Sequence, residues 1–266
     1  MAGAKTHKFR HQRSSMAEEH ETKIALKYHE NGQYDLAKKI YQKLISQNKQ
    51  NTMVLYLNGT LLYQLEHFDA AIKDLSRAIA LNPNFSQALN NRGNTYMAIG
   101  KINKAICDYE SAIDKDPNNF KAINNKAEAL LKARRTTDAL NCLNNSIKIA
   151  PNQAHSYLKR AKIYSKMQEN FLAIDDCNHA IRLNRNFLDA YLERGLINYK
   201  IGHFTAAIKD FDKTISHNST SIAALNNRGL AFKAVGRFKD ALLDFDNVIL
   251  LEPDHVEALN NRGVVL

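Results

Sequence analysis

The chain has 266 residues, and 37 Lys and Arg stand against 27 Asp and Glu, which gives a formal net charge of +10. No apolar run approaches the roughly 20 residues that a membrane-spanning helix requires, so we predict no membrane insertion. The basic excess is mild and contains no dense block of Lys and Arg, which argues against a nucleic-acid partner.

Residues 1–17 are the first segment, and their charged residues are Lys5, Lys8, Arg10 and Arg13, with no acid. The segment lacks the apolar stretch that defines a secretory signal peptide. We therefore predict a disordered basic tail over residues 1–17 and a cytoplasmic location for the protein.

From residue 18 onward the sequence repeats with a fixed period. The four prolines are Pro83, Pro117, Pro151 and Pro253, separated by 34, 34 and 102 residues, and 102 is three times 34. With position 1 of the repeat set at residue 52, nine of the ten glycines fall at position 8 or position 15. A 34-residue period with this punctuation is typical of a helix-turn-helix repeat.

This register gives seven complete units, followed by residues 256–266, which begin an eighth. The seven units are 18–51, 52–85, 86–119, 120–153, 154–187, 188–221 and 222–255. Each unit is predicted to hold a helix A at about positions 2–14 and a helix B at about positions 18–29. Glycine at position 15 suits the turn between them, because it adopts the left-handed conformation that ends a helix. Since Arg134 and Gln168 replace this glycine, we predict looser turns in the fourth and fifth units.

Three positions predict how the two helices of a unit pack. Position 20 is alanine in every complete unit, which indicates a contact too close for a larger side chain. Position 8 is glycine or alanine, which lets the two helices approach closely. Position 24 holds a large side chain in most units: Tyr41, Leu75, Tyr109, Leu143, Cys177, Phe211 and Phe245.

From residue 18 to the end, the sequence resembles the tetratricopeptide repeat (TPR) family. The resemblance lies in small residues at position 8, aromatic residues at 11, alanine at 20, large residues at 24 and proline at 32. The resemblance implies an all-α fold, a right-handed α–α superhelix (a TPR solenoid) of seven repeats plus a partial eighth. In this family the A helices line a concave groove that holds a peptide or a partner's helix. We therefore expect a protein-protein interaction scaffold that binds an extended peptide or partner segment in this groove.

Pairs of asparagines recur in the A helices, as in "ALNNRG" at 88–93 and 224–229. At about 100° per residue, positions 2, 5, 6, 9, 12 and 13 form one stripe, opposite the core positions 4, 8 and 11. Because an amide both donates and accepts hydrogen bonds, a row of amides can bind peptide backbone with little sequence preference. The alternative is that asparagine is simply a common solvated residue in this chain. The predicted groove residues are Asn90, Asn91, Asn94, Lys121, Asn124, Asn125, Lys159, Lys162, Asn226, Asn227, Asn260 and Asn261.

Basic residues divide between the groove stripe and its edge. Lys121, Lys159 and Lys162 make the middle of the groove cationic, so a partner with an acidic segment fits there, and solvated lysines are the alternative. Position 7 lies off the stripe, and we predict that its arginines bond neighbouring loops rather than a ligand. These arginines are Arg92, Arg160, Arg194, Arg228 and Arg262.

Two further resemblances give alternative functions. The position-6 asparagines Asn91, Asn125, Asn227 and Asn261 resemble the asparagine ladder of O-linked N-acetylglucosamine transferases, interrupted here by Leu57, Lys159 and Glu193. That resemblance implies the N-terminal substrate-recognition array of a larger glycosyltransferase-type enzyme. Asn94, Asn125 and Lys159 match in part the carboxylate clamp of co-chaperones, but Asn90 and His155 replace two of its lysines.

No phosphate-binding loop, zinc-binding histidine pair or nucleophile motif occurs in the sequence. We predict no catalytic residue, no cofactor and no metal site, and hence that this chain by itself is not an enzyme. The sequence stops inside helix A of the eighth unit, and we expect a further segment, a capping helix or a catalytic domain, beyond Leu266.

Overall fold

The computed structural model describes the backbone of residues 2–266 and the side chains of residues 16–266. In this part of the chain every regular element is an α-helix. The helices are α1 (Ala2–Glu30), α2 (Tyr34–Gln47), α3 (Thr52–Gln64), α4 (Phe68–Leu81), α5 (Ser86–Ala98), α6 (Ile102–Lys115), α7 (Phe120–Lys132), α8 (Thr136–Ile149), α9 (Ala154–Lys166), α10 (Asn170–Leu183), α11 (Leu188–Lys200), α12 (Phe204–His217), α13 (Ile222–Ala234), α14 (Phe238–Leu251) and α15 (Val256–Val265).

The helices follow the 34-residue register closely. From α3 to α14, each A helix occupies positions 1–13 and each B helix occupies positions 17–30. The observed ends therefore lie within about one residue of those predicted from the periodicity. The predicted all-α solenoid of helix-turn-helix repeats is confirmed.

The chain divides into two compact units, Met1–Cys142 and Leu143–Leu266, with the boundary inside α8. In the first unit the A helices α1, α3, α5 and α7 are neighbours, and α2, α4 and α6 pack against them. In the second unit the A helices α9, α11, α13 and α15 are neighbours in the same way, packed against α10, α12 and α14. We call the surface formed by positions 2, 5, 6, 9, 12 and 13 of the A helices in either unit its A-helix face.

The helix α1 differs from the prediction for the start of the chain. The sequence predicts a disordered tail over residues 1–17, whereas the backbone of residues 2–17 continues the first A helix. No proline interrupts this segment, and its alanine, lysine, arginine and glutamine residues favour a helix. Met1 and the side chains of residues 2–15 lie outside the described residues.

Position 15 adopts the left-handed conformation in every turn between helices A and B. The four glycines there have φ between 72° and 82°, and Glu66, Arg134 and Gln168 have φ of 60°, 61° and 64°. Each turn closes with the same hydrogen bond, for example from the backbone N–H of Arg135 to the carbonyl of Leu130 at 2.8 Å. The prediction of looser turns in the fourth and fifth units is wrong, because the non-glycine residues accept the strained conformation instead of changing the turn.

Position 8 lies directly against position 24 of the same unit. A Cβ added to Gly93 would lie 2.6 Å from Cε1 of Tyr109, and one added to Gly195 would lie 2.6 Å from Cε1 of Phe211. The alanines at position 20 are fully buried beside this contact. The close helix contact predicted from positions 8 and 20 is confirmed, and it holds the A helices so that their opposite side forms the A-helix face.

Candidate functional site: the A-helix face

In the first unit, α3, α5 and α7 form a pocket of about 330 Å³ together with one residue of α6. Its walls contain two of the asparagines predicted from the sequence, two tyrosines and an acid–base pair four residues apart. The lining residues are Tyr63, Asn94, Met97, Ala98, Tyr109, Asn125, Glu128 and Lys132. The pocket is therefore polar and lies on the stripe that the periodicity predicted.

The amides around this pocket are bonded to one another. Nδ2 of Asn125 donates to Oδ1 of Asn90 and to Oδ1 of Asn94, each at 3.0 Å. The hydroxyl of Tyr109 donates to the same Oδ1 of Asn94 at 2.8 Å. Burial raises the pKa of this hydroxyl, and nearby Glu128 raises it further, so the phenol remains protonated and able to donate. The network fixes the orientation of amides from two neighbouring A helices.

The network also continues towards the second repeat. Nδ2 of Asn91 donates to Oγ1 of Thr60 at 2.9 Å, and Oδ1 of Asn91 accepts from Asn90 at 3.2 Å. Thr60 is at position 9 of the preceding A helix, so hydrogen-bonded side chains extend over α3, α5 and α7. The structure thus brings together Asn90, Asn91, Asn94 and Asn125, as the 34-residue spacing predicts.

The two asparagines of each pair differ in exposure. At position 5 the exposed fraction is 7% for Asn90, 7% for Asn124 and 4% for Asn226. The sequence predicted that both asparagines of a pair line the groove, and for these three residues that interpretation needs correction. Position 5 lies between adjacent A helices, where its amide packs instead of meeting solvent. The position-6 asparagines are half-buried: Asn91, Asn125, Asn227 and Asn261.

On the A-helix face of the second unit the asparagines have different partners. Nδ2 of Asn227 donates to the carbonyl of Ala223 in its own helix at 2.7 Å, and Asn226 donates to Oε2 of Glu257 at 3.3 Å. Asn260 is exposed on α15. These amides are bonded within a helix or to a carboxylate, in contrast to the amide network of the first unit.

The A-helix face of the second unit carries a group of charged side chains. Lys162 and Lys166 are exposed and Lys159 is half-buried, while Lys121 is exposed on the face of the first unit. Glu193 occupies position 6 beside these lysines. Burial raises the pKa of its carboxyl group, and Lys162 and Lys166 act in the opposite direction. The sequence showed Glu193 only as an interruption of the asparagines, but the structure shows it as a half-buried acid among lysines.

The arginines at position 7 do not bond loops, so that prediction is wrong. Arg92 donates from Nε and Nη2 to both carboxylate oxygens of Asp108, at 2.8 and 2.7 Å, and from Nη1 to Oγ of Ser76 at 3.0 Å. Asp108 is position 23 of the same repeat, and Ser76 is position 25 of the preceding repeat, both on B helices. We call this three-residue contact the arginine bridge.

The arginine bridge recurs in three other repeats. Arg160, Arg194 and Arg228 each contact both oxygens of the aspartate at position 23 at 2.6–3.0 Å. Each also reaches position 25 of the preceding repeat, at 2.5–2.7 Å. The hydrogen bonds to aspartate raise the pKa of these guanidinium groups. The bridge therefore joins one repeat to the one before it, away from the A-helix face.

The residues of the predicted carboxylate clamp lie in both units. Asn94 and Asn125 are bonded to each other in the first unit. Lys159 and His155 belong to the second unit, where the ring of His155 lies 4.6 Å from that of Phe187. Within one unit, the structure therefore brings together only the two amide members of the clamp pattern.

Among the described residues, no group of three or more His, Cys, Asp or Glu is placed to hold a metal ion. Over the same residues, no helix is both long and apolar enough to cross a bilayer.

Helix pairs stacked in a 34-residue register define a helical-repeat protein. Models of the tetratricopeptide repeat match residues 22–51, 86–119, 108–141, 154–187 and 226–266, and a TPR repeat model matches residues 59–100. The chain belongs to the tetratricopeptide repeat family. No curated protein matches its sequence at a significant level.

Solved structures share this fold at low sequence identity. The APC/C hetero-tetramer Cut9–Hcn1 matches with a TM-score of 0.74 at 14% identity, over 91% of this chain and 48% of that chain. PilF of Pseudomonas aeruginosa matches with a TM-score of 0.71 at 18% identity, over 80% of this chain and 97% of that one. YrrB, described as a TPR protein with an unusual peptide-binding site, matches with a TM-score of 0.58 at 18% identity, over 71% and 97% of the two chains.

Proposed function

We propose that this chain is a protein-interaction scaffold whose A-helix face binds an extended peptide or partner segment. The observation that carries the proposal is the pocket of about 330 Å³ in the first unit, where Asn94 and Asn125 are held in fixed orientations by hydrogen bonds. The peptide-binding site named for YrrB, a protein of the same fold, agrees with this proposal. The proposed activity is binding rather than catalysis.

Oriented amides suit the recognition of peptide backbone. A backbone presents one donor and one acceptor per residue, and Oδ1 of Asn125, whose Nδ2 already donates to Asn90 and Asn94, can accept from a backbone N–H. Because the amides of Asn91 and Asn125 already have fixed orientations, these side chains lose less conformational entropy when a peptide binds. The buried position-5 asparagines position these amides and do not themselves contact the peptide.

The charge of the face favours acidic residues in the bound segment. Lys121 in the first unit and Lys162 in the second are exposed on the A-helix faces. Hydrogen bonds between an ammonium group and a carboxylate are stronger than those between neutral groups. We therefore propose that the partner carries an acidic segment. We also propose that the protein is cytoplasmic.

A peptide array tests this proposal. Extended peptides, including acidic ones, would be screened against the wild-type chain, and the best binder would be measured by isothermal titration calorimetry. The double variant Asn91→Ala/Asn125→Ala should weaken binding by about 10-fold or more, since each lost hydrogen bond contributes about 1 kcal/mol. Lys162→Gln should reduce the preference for acidic peptides.

The matched control is Asn103→Ala, which removes an exposed asparagine of the B helix α6. This variant should bind like the wild type. Thermal unfolding by circular dichroism would check that all variants fold. Equal affinity of the wild type and the double variant for every peptide would move the binding site off these amides and refute the proposal.

A further inference from the structure

The first unit contains a second pocket, away from the A-helix face. It has a volume of about 520 Å³ and lies between α2 and α4, with α3 also contributing to its wall. Three residues that line it are Asn58, Asp74 and Gln42. They occupy positions 7, 23 and 25 of the register, and Gln42 comes from the preceding repeat. These are the positions that form the arginine bridge in other repeats.

The arginine bridge shows which chemical group this geometry holds. In the third repeat the guanidinium of Arg92 contacts both oxygens of Asp108 at position 23 and Oγ of Ser76 at position 25. In the second repeat, position 7 is the shorter Asn58, whose Nδ2 donates to Oδ2 of Asp74 at 2.7 Å. The aspartate is therefore retained, the position-7 arginine is missing, and all three positions line a pocket.

Asn58 provides a second, independent observation. The residue is only 3% exposed, and its Oδ1 has no hydrogen-bond partner among the described residues. A buried carbonyl oxygen without a donor is unfavourable. This oxygen has almost no accessible surface, so a donor in the pocket satisfies it only after the amide of Asn58 turns.

The carboxylate of Asp74 is able to accept further hydrogen bonds. Its Oδ1 contacts Nη1 of Arg77 at 3.3 Å, a single long interaction from a side chain that also donates to the carbonyl of Lys49. A carboxylate has about four acceptor sites and forms its strongest pairs with a planar guanidinium. The pocket thus offers a carboxylate that can accept further hydrogen bonds from a planar donor.

We propose that this pocket, which we call the Asn58 socket, binds an arginine side chain of a partner protein. The guanidinium donates to the carboxylate of Asp74 and reaches Gln42, and it meets Oδ1 of Asn58 once that amide turns. It thereby completes from outside the bridge that Arg92 makes within the chain. This site goes beyond the peptide-binding A-helix face, because it lies on the side of the B helices and uses other residues.

The rim of the socket selects the residues around that arginine. Lys38, Lys49 and Lys73 also line the pocket, and Asp74 is the only acid among its lining residues. The three ammonium groups and the guanidinium of Arg77 repel an isolated cation but attract carboxylates at the rim. The partner segment that fits is therefore an arginine flanked by acidic residues.

The test is a titration of the ¹⁵N-labelled full chain with a capped pentapeptide, in which one arginine stands between two pairs of glutamates. Matched peptides replace the arginine with lysine, with citrulline or with glutamate. The arginine peptide should shift the side-chain amide signals of Asn58 saturably and bind about 10-fold more tightly than the other peptides, because only a guanidinium can form the bidentate ionic pair.

Two variants distinguish an effect on binding at the Asn58 socket from an effect on folding. Asn58→Arg should supply the guanidinium from within the chain, raise the melting temperature and abolish binding of the arginine peptide. Asp74→Asn should weaken binding about 10-fold, since it removes the carboxylate partner. Asn103→Ala on α6 is the matched control and should bind like the wild type.

Several outcomes would refute the socket. Equal binding of the glutamate and arginine peptides would mean that the lysine rim alone attracts the peptide. Unchanged binding by Asn58→Arg, shifts confined to the A-helix face, or no saturable binding of the arginine peptide at millimolar concentration would each contradict the proposal.

Discussion

The second and third repeats share a backbone but differ in the side chains that hold it. The third repeat has the arginine bridge of Arg92, an aromatic ring against Gly93 and a glycine at its turn. The second repeat has Asn58 bonded to Asp74, Leu75 against Gly59, and Glu66 in the same left-handed turn. The helices of both repeats nevertheless begin and end at the same positions of the register. The fold therefore tolerates losing these interactions together, and their individual contributions can be measured by changing one repeat and leaving the other as a control.

The largest effect is expected from the arginine bridge. Arg92→Leu leaves the carboxylate of Asp108, which is 9% exposed, without its ionic partner. Removing one partner of a largely buried pair costs about 3 kcal/mol. The matched change Asn58→Leu removes a single hydrogen bond and should cost about 1 kcal/mol. Urea unfolding gives the loss in unfolding free energy for both variants. Equal losses would show that the arginine bridge stabilises its repeat no more than the hydrogen bond of Asn58 does.

A smaller effect is expected at the closest helix contact. Gly93→Ala places a methyl group 2.6 Å from a ring carbon of Tyr109, which must move, and we expect a loss of about 2 kcal/mol. Gly59→Ala should cost a similar amount, because its methyl group would lie 2.7 Å from Cγ of the fully buried Leu75 and 3.3 Å from the backbone oxygen of Ala71. Gly263→Ala has no neighbour within 4 Å and should be neutral or slightly stabilising. Thermal unfolding would rank the three variants, and a loss at Gly263 as large as that at Gly93 would contradict the contact argument.

The smallest effect is expected at the turns. Glu66 has a φ of 60°, a conformation that costs a residue with a side chain about 1 kcal/mol or more. Glycine relieves this strain but is more disordered in the unfolded chain, so Glu66→Gly should stabilise by about 0.5 kcal/mol. Gly100→Ala, at the same position of the third repeat, should destabilise by about 1 kcal/mol. Both changes are measured by urea unfolding, and a loss of stability in Glu66→Gly would show that its side chain contributes more than the strain costs.

The periodicity of the sequence predicted the helices, their ends and the core. It could do so because proline, glycine and alanine mark positions whose backbone and packing requirements depend only on the repeat itself. The turn at Glu66 could not be predicted, since tertiary packing imposes the left-handed φ on a residue that does not prefer it.

The site was predicted less completely. The helical periodicity of one helix places Asn90 and Asn91 on the same stripe. It takes no account of the neighbouring A helix, which buries Asn90. The partners of Arg92 were missed, although the sequence contains a signal for them. An aspartate follows the position-7 arginine by 16 residues in four repeats, and such a spacing indicates a contact between the two helices of a unit.

The absence of an arginine bridge in the second repeat affects where the repeat array unfolds locally. In a repeat array, cooperativity depends on the interfaces between neighbours. The arginine bridge ties α4 to α5 and α6, whereas no described arginine ties α2 to α3 and α4 in this way. The first repeat should therefore open more often than the third, and the backbone amides of α2 should exchange with deuterium faster than those of α6. The residue that leaves room for a partner's arginine would then also set the point where the array begins to unfold.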